Sequence, residues 1–175
     1  SVIALGGNME KAAKDFSTLP TLPGRGVVHV IPWADGNILL IDDSYNANPE
    51  SMAAALKTLG HMEPDGGRRI AILGDMLELG DISAASHAGL RDHLEKNAID
   101  MVFLVGSEML ALSEALEGSR LGAIAKTTDA LLPEILANLQ AGDVITVKAS
   151  NGIGLGRIVD ALINPQTIPR AVNGD

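Results

Sequence analysis

No cysteine occurs in the 175 residues, which removes disulfides, thiolate catalysis and cysteine metal sites together. Aromatic side chains are almost as scarce, with one Trp, one Tyr and two Phe. Any core must therefore be packed from Ala, Val, Ile, Leu and Met. Basic residues are outnumbered, 13 Lys and Arg against 22 Asp and Glu, and the formal charge of -9 has the wrong sign for a phosphate backbone, so nucleic acid is not an expected partner. No apolar run approaches the roughly 20 residues that span a bilayer, and Ser1 does not open a signal peptide, so no membrane partner is expected and the domain reads as cytoplasmic. His29, His61, His87 and His93 show no metal-ligand spacing, and no metal site is assigned. The dipeptide Gly-Lys occurs nowhere, so there is no phosphate-cradling P-loop.

What is present is a regular alternation. Met9 to Leu19 reads as a short helix, cut off by Pro20 and followed by the loop Pro23-Gly24-Arg25-Gly26. That loop is the expected domain junction. Val27–Ile31 and Ile38–Ile41 read as strands, a candidate hairpin turning at Asp35-Gly36. Pro49 to Met62 reads as a helix with Met52, Leu56 and Leu59 on one face and Asn48 as its N-cap. Then follow a strand at Ile70–Leu73, a helix at Ser83–Lys96, a strand at Met101–Val105, a helix at Ser107–Leu116 and a weak strand at Ala123–Ala125. A helix carrying Leu132, Ile135, Leu136 and Leu139, a strand at Val144–Val147 and a closing helix at Leu155–Ile163 complete the chain. Short apolar strands separated by helices imply an α/β fold, a doubly wound, mostly parallel sheet covered on both faces.

In such sheets ligands bind outside the carboxyl ends of the strands. Those ends read Asp42-Asp43-Ser44, Gly74-Asp75, Gly106-Ser107 and Lys148-Ala149-Ser150. Any α/β domain needs small polar residues there to turn the chain and cap helices, and Gly106-Ser107 is read that way. Asp42-Asp43 is different, because two adjacent carboxylates repel each other unless each has a partner. The run Gly152-Ile153-Gly154-Leu155-Gly156 suggests a dinucleotide fingerprint but follows the last strand rather than the first, so a nicotinamide cofactor is not expected. His87, early in the helix after Gly74-Asp75, lies near the proposed site, although a solvated surface histidine explains it as well.

The blocks Leu40-Ile41-Asp42-Asp43-Ser44-Tyr45-Asn46-Ala47-Asn48-Pro49, Leu73-Gly74-Asp75-Met76-Leu77-Glu78-Leu79-Gly80 and Val147-Lys148-Ala149-Ser150, in that order and spacing, resemble the C-terminal part of the Mur ligases. The resemblance implies a Rossmann-like C-terminal domain over residues 22–175, with residues 1–21 the terminal helix and linker of a missing central domain. It implies a three-domain cytoplasmic enzyme of peptidoglycan synthesis that joins D-alanyl-D-alanine to a UDP-N-acetylmuramoyl-tripeptide through an acyl phosphate. ATP and Mg2+ would be held mainly by the central domain, which carries the P-loop. The partners of this chain would be its own N-terminal and central domains. By position, Arg25, Asp43, Tyr45 and Asn46 would meet the nucleotide, with Asp43 accepting from the ribose hydroxyls. Asp75, Glu78, His87, Lys148 and Ser150 would lie on the phosphate or D-alanyl-D-alanine side. No residue is assigned as the catalytic base. The isolated chain, lacking the P-loop, is expected to be inactive. Two other readings stay open: a phospho-receiver module, echoed by Asp42, Asp43, Asp75 and Lys148, and a stand-alone nucleotide-binding module.

Overall fold

A computed structural model describes residues 24–116 and 120–164. The helix expected at Met9–Leu19 and the domain boundary near residue 21 lie outside the described residues. Six strands form one sheet in the order β1-β2-β6-β3-β4-β5. They are β1 Val27–Trp33, β2 Gly36–Asp43, β3 Arg69–Gly74, β4 Met101–Val105, β5 Leu121–Ala125 and β6 Val144–Lys148. β1 runs antiparallel to β2, and the remaining pairs are parallel. As an edge strand β1 accommodates Pro32, whose missing N–H would break a central ladder.

The helices are α1 Pro49–Gly60, α2 Ser83–Ala88, α3 Leu90–Lys96, α4 Leu110–Ala115, α5 Thr128–Asn138 and α6 Gly156–Ile163. Side chains alternate across each strand, and that alternation divides the apolar runs between two cores. Ile38, Leu40, Ile70, Ile72, Ile145 and Val147 pack against α5 and α6 through Leu131, Ile135, Ile158 and Leu162. Leu39, Ala71, Leu73 and Val144 face the other way, against Met52, Leu56, Leu90 and Leu112 of α1, α3 and α4. The sheet is covered on both faces, the expected doubly wound α/β arrangement.

Several element limits differ from the sequence reading. The single helix expected over Ser83–Lys96 is two, with Gly89 as the last residue of one turn and the cap of the next. The helix expected from Ser107 begins at Leu110. β5 starts at Leu121 rather than Ala123 because Gly122 has no side chain, where a Cβ would stand 2.8 Å from Phe103. α5 takes Pro133 inside it and starts from Thr127, whose side chain accepts from the Ala130 N–H at 3.3 Å.

Candidate functional site

The topology fixes where a crevice must open. α6, which follows β6, packs on one face of the sheet, whereas α1 and α3, which follow the flanking strands β2 and β3, pack on the other. The chain thus leaves adjacent strand ends in opposite directions, the arrangement that opens a crevice at strand ends. Asp43 and Lys148 are register partners at that edge.

The two adjacent carboxylates have separate employments. Asp42 is buried and points into the protein, where Oδ2 accepts from the Gly24 N–H at 3.0 Å and Oδ1 accepts from the Ser44 N–H at 3.1 Å and its hydroxyl at 2.6 Å. Gly26 donates to the Asp42 carbonyl at 2.7 Å, and Tyr45 donates to the Gly24 carbonyl at 3.0 Å. Asp42 therefore fastens the junction loop to the end of β2. Gly24 is required there: it has φ +75, and a Cβ would meet that of Tyr45 at 3.0 Å. The loop then places the Arg25 guanidinium over the Tyr45 ring, 4.6 Å from its centroid, a cation–π contact on an exposed aromatic.

Asp43 turns the other way. Its Oδ2 accepts from Lys148 Nζ at 2.7 Å, and the same Nζ donates to the Asn46 carbonyl at 2.7 Å. The Lys148 side chain is 3% exposed and that of Asp43 29%. Arg25, Asp43, Tyr45, Asn46 and Lys148 line one cleft of about 500 Å3. Its polar end lies at the strand ends, and its apolar length runs beside α1 past Val28, Ile41, Ala54, Ala55 and Met62. A fixed carboxylate accepts from hydroxyls but cannot donate, and beside it stand a stacked aromatic and a cation. The set suits a nucleoside, with its diol on Asp43 and its flat base against Tyr45. Asn48 also borders the cleft, but its side chain is used as a cap: Oδ1 accepts from the Ser51 N–H at 2.8 Å, while Ser51 Oγ accepts from the Asn48 N–H at 3.0 Å.

Asp75, Glu78, His87 and Ser150 form a second group, outside the lining of that cleft. Asp75 Oδ1 accepts from the Met109 N–H at 2.9 Å. The close approach needs Gly106, at φ +116, where a Cβ would overlap the Asp75 carboxyl at 2.2 Å. The Ser150 hydroxyl oxygen accepts from the Leu77 N–H at 2.9 Å. His87 corrects the expectation of a solvated surface histidine, because it is 0% exposed. Its Nε2 accepts from the Met76 N–H at 2.9 Å, so Nδ1 carries the proton and donates to the Ser83 carbonyl at 2.8 Å. Both ring nitrogens are engaged within the protein. Together His87 and Ser150 pin consecutive amides of the Met76–Leu79 loop, which exposes Leu77 and carries Glu78 at φ 65.

Thr146 was not singled out from the sequence. It borders the cleft and is 1% exposed, and its hydroxyl has no hydrogen-bond partner among the described residues. The available signal was a threonine inside the otherwise apolar strand Val144-Ile145-Thr146-Val147. Among the described residues no group of three or more His, Asp and Glu is placed to hold a metal ion. Among them, too, no helix is long and apolar enough to cross a membrane.

A family model described as Mur ligase, glutamate ligase domain, matches residues 28–151. The UDP-N-acetylmuramoyl-tripeptide–D-alanyl-D-alanine ligase of Mycobacterium tuberculosis H37Rv is 32% identical, over 93% of this chain and 35% of that protein. The Escherichia coli K12 enzyme of the same name is 34% identical, over 91% and 34%. Among solved structures, MurF from Acinetobacter baumannii superposes with a TM-score of 0.68 at 30% identity, covering 92% of this chain and 34% of that one. MurF ligase from Thermotoga maritima in complex with ADP gives 0.67 at 26% identity, covering 86% and 33%. The chain spans about a third of the length of the relatives it matches.

Proposed function

The chain belongs to the Mur ligase family, and from that membership we propose that it is the C-terminal domain of an ATP-dependent ligase adding D-alanyl-D-alanine to a UDP-N-acetylmuramoyl-tripeptide. Its part is to close one side of the nucleotide site. The reading is supported by the similarity to about a third of proteins bearing that name and, in this chain, by one observation above the rest. The Asp43 carboxylate is held at the mouth of a nucleoside-sized cleft beside the stacked Arg25–Tyr45 pair.

The described residues fit the nucleoside half of ATP and offer no cluster of metal ligands. The triphosphate and its Mg2+ would be held mainly by the central domain of the complete ligase. When bound, ATP supplies the phosphoryl group that activates the tripeptide carboxylate. Arg25 and Tyr45 bind the base side, Asp43 accepts from the ribose hydroxyls, and the ordered Met76–Leu79 loop, with Asp75 and Ser150 behind it, faces the amine substrate. The enzyme would work in the cytoplasm, supplying the cell wall on which cell shape and division depend. The receiver reading has lost its support, since Asp75 is 4% exposed and tied to Met109 while Lys148 reaches Asp43 instead.

The test is ligation by the complete protein. Sustained ADP release should require ATP, the UDP-linked tripeptide and D-alanyl-D-alanine together, with one tripeptide extended per ATP consumed. ATP consumption indifferent to either co-substrate would refute the assignment.

A further inference from the structure

We propose that Lys148 is a positioning residue for the nucleotide, acting through Asp43 and the Tyr45–Asn46 turn rather than by touching a ligand. The inference rests on the nucleotide reading of the cleft. A lysine closing the last strand of such a sheet invites the role of a point charge for a phosphate or carboxylate, but the geometry points elsewhere. The side chain is 3% exposed, and Nζ already has two oxygen acceptors at 2.7 Å, Asp43 Oδ2 and the Asn46 carbonyl. Two of its three donors are thus committed within the protein, which holds the ammonium in place.

The frame has a definite job. The parallel register sets Asp43 directly beside Lys148, so one side chain on β6 reaches both ends of the segment Asp43–Asn46. Between those ends Ser44 is held by Asp42, and Tyr45 is left exposed at 48% beneath Arg25. Lys148 occupies one oxygen of Asp43, and among the described residues nothing donates to the other. The carboxylate therefore faces the cleft in one orientation, and the entropy of ordering the turn is lost during folding rather than on binding. The ammonium also offsets a negative charge that would otherwise repel a polyanionic nucleotide at the mouth of the cleft.

The consequence is a specific coupling. In the complete ligase, Lys148→Met and Asp43→Asn should each raise the KM for ATP by about tenfold, the order of one charge-assisted hydrogen bond. The double variant should fall well short of the product of the two single effects, because both share the Asp43 contact. The KM for D-alanyl-D-alanine should stay within about twofold of the parent, since a loss of ground-state binding is confined to the ligand whose contact was removed. Lys148→Arg keeps the charge and donors for both acceptors, and should recover most of the ATP affinity. If Lys148→Met fails to fold, Asp43→Asn and Lys148→Arg still decide. An ATP KM raised about tenfold in the first and near the parent value in the second, with the dipeptide KM unchanged in both, supports the proposal, and an unmoved ATP KM in Asp43→Asn overturns it. Multiplicative effects in the double variant, an ATP KM that falls or does not move in Lys148→Met, or a rise confined to the dipeptide KM would each overturn it. A parent enzyme that does not ligate at all would instead remove the functional reading beneath it.

Discussion

Asp42 and Asp43 differ by one position and by the whole of their chemistry. Asp42 receives three hydrogen bonds in a buried setting, so its removal strands the Gly24 and Ser44 donors. Asp42→Ala should destabilise the domain by about 2–3 kcal/mol, visible as a lower denaturation midpoint with an unchanged slope. Asp43 is itself partly exposed and has one partner, the buried Lys148 ammonium, so its free oxygen is left to a ligand. The doublet itself was legible as a sign that each carboxylate needs a partner. Which partner each had was not legible, because Gly24 and Lys148 lie 18 and 105 residues away. His87 failed for a similar reason. It lies in the segment read as one helix over Ser83–Lys96, and the Met76 loop, whose amide donates to its Nε2, is a tertiary neighbour with no local signature.

At the scale of elements, the strand-to-helix passage from β2 to α1 was the best-read part of the chain. Asn48 caps as expected, and Ser51 completes a reciprocal box. Replacing Asn48 by Ala should cost about 1 kcal/mol of stability, measured by chemical denaturation, with Ser51→Ala giving an overlapping rather than additive loss. The strands were found because runs such as Ile38-Leu39-Leu40-Ile41 are continuous and short, the mark of burial on both faces. Their order was hidden. Insertion of β6 between β2 and β3 is what brings Lys148 to Asp43. Nothing in the spacing of strands along the chain states it. The helix break at Gly89 was equally hidden, since the residue keeps right-handed helical angles and no proline marks it.

For the whole molecule, the described residues form two cores, one on each face of the sheet. The chain spans about a third of its relatives and has no Gly-Lys phosphate loop in its sequence. Produced alone, it should unfold in a single cooperative transition and yet show no ATP-dependent ligation in a coupled ADP assay. Turnover by the isolated chain would mean that the phosphate-binding machinery had been misplaced. The functional assignment depends on this domain presenting Asp43 to the nucleotide. The most direct measurement is the KM for ATP of Asp43→Ala in the complete ligase. It should rise by about tenfold or more while the KM for D-alanyl-D-alanine holds; the melting temperature falls, because the buried Lys148 ammonium loses its counter-charge. An ATP KM equal to the parent's would show that this face does not touch the nucleotide.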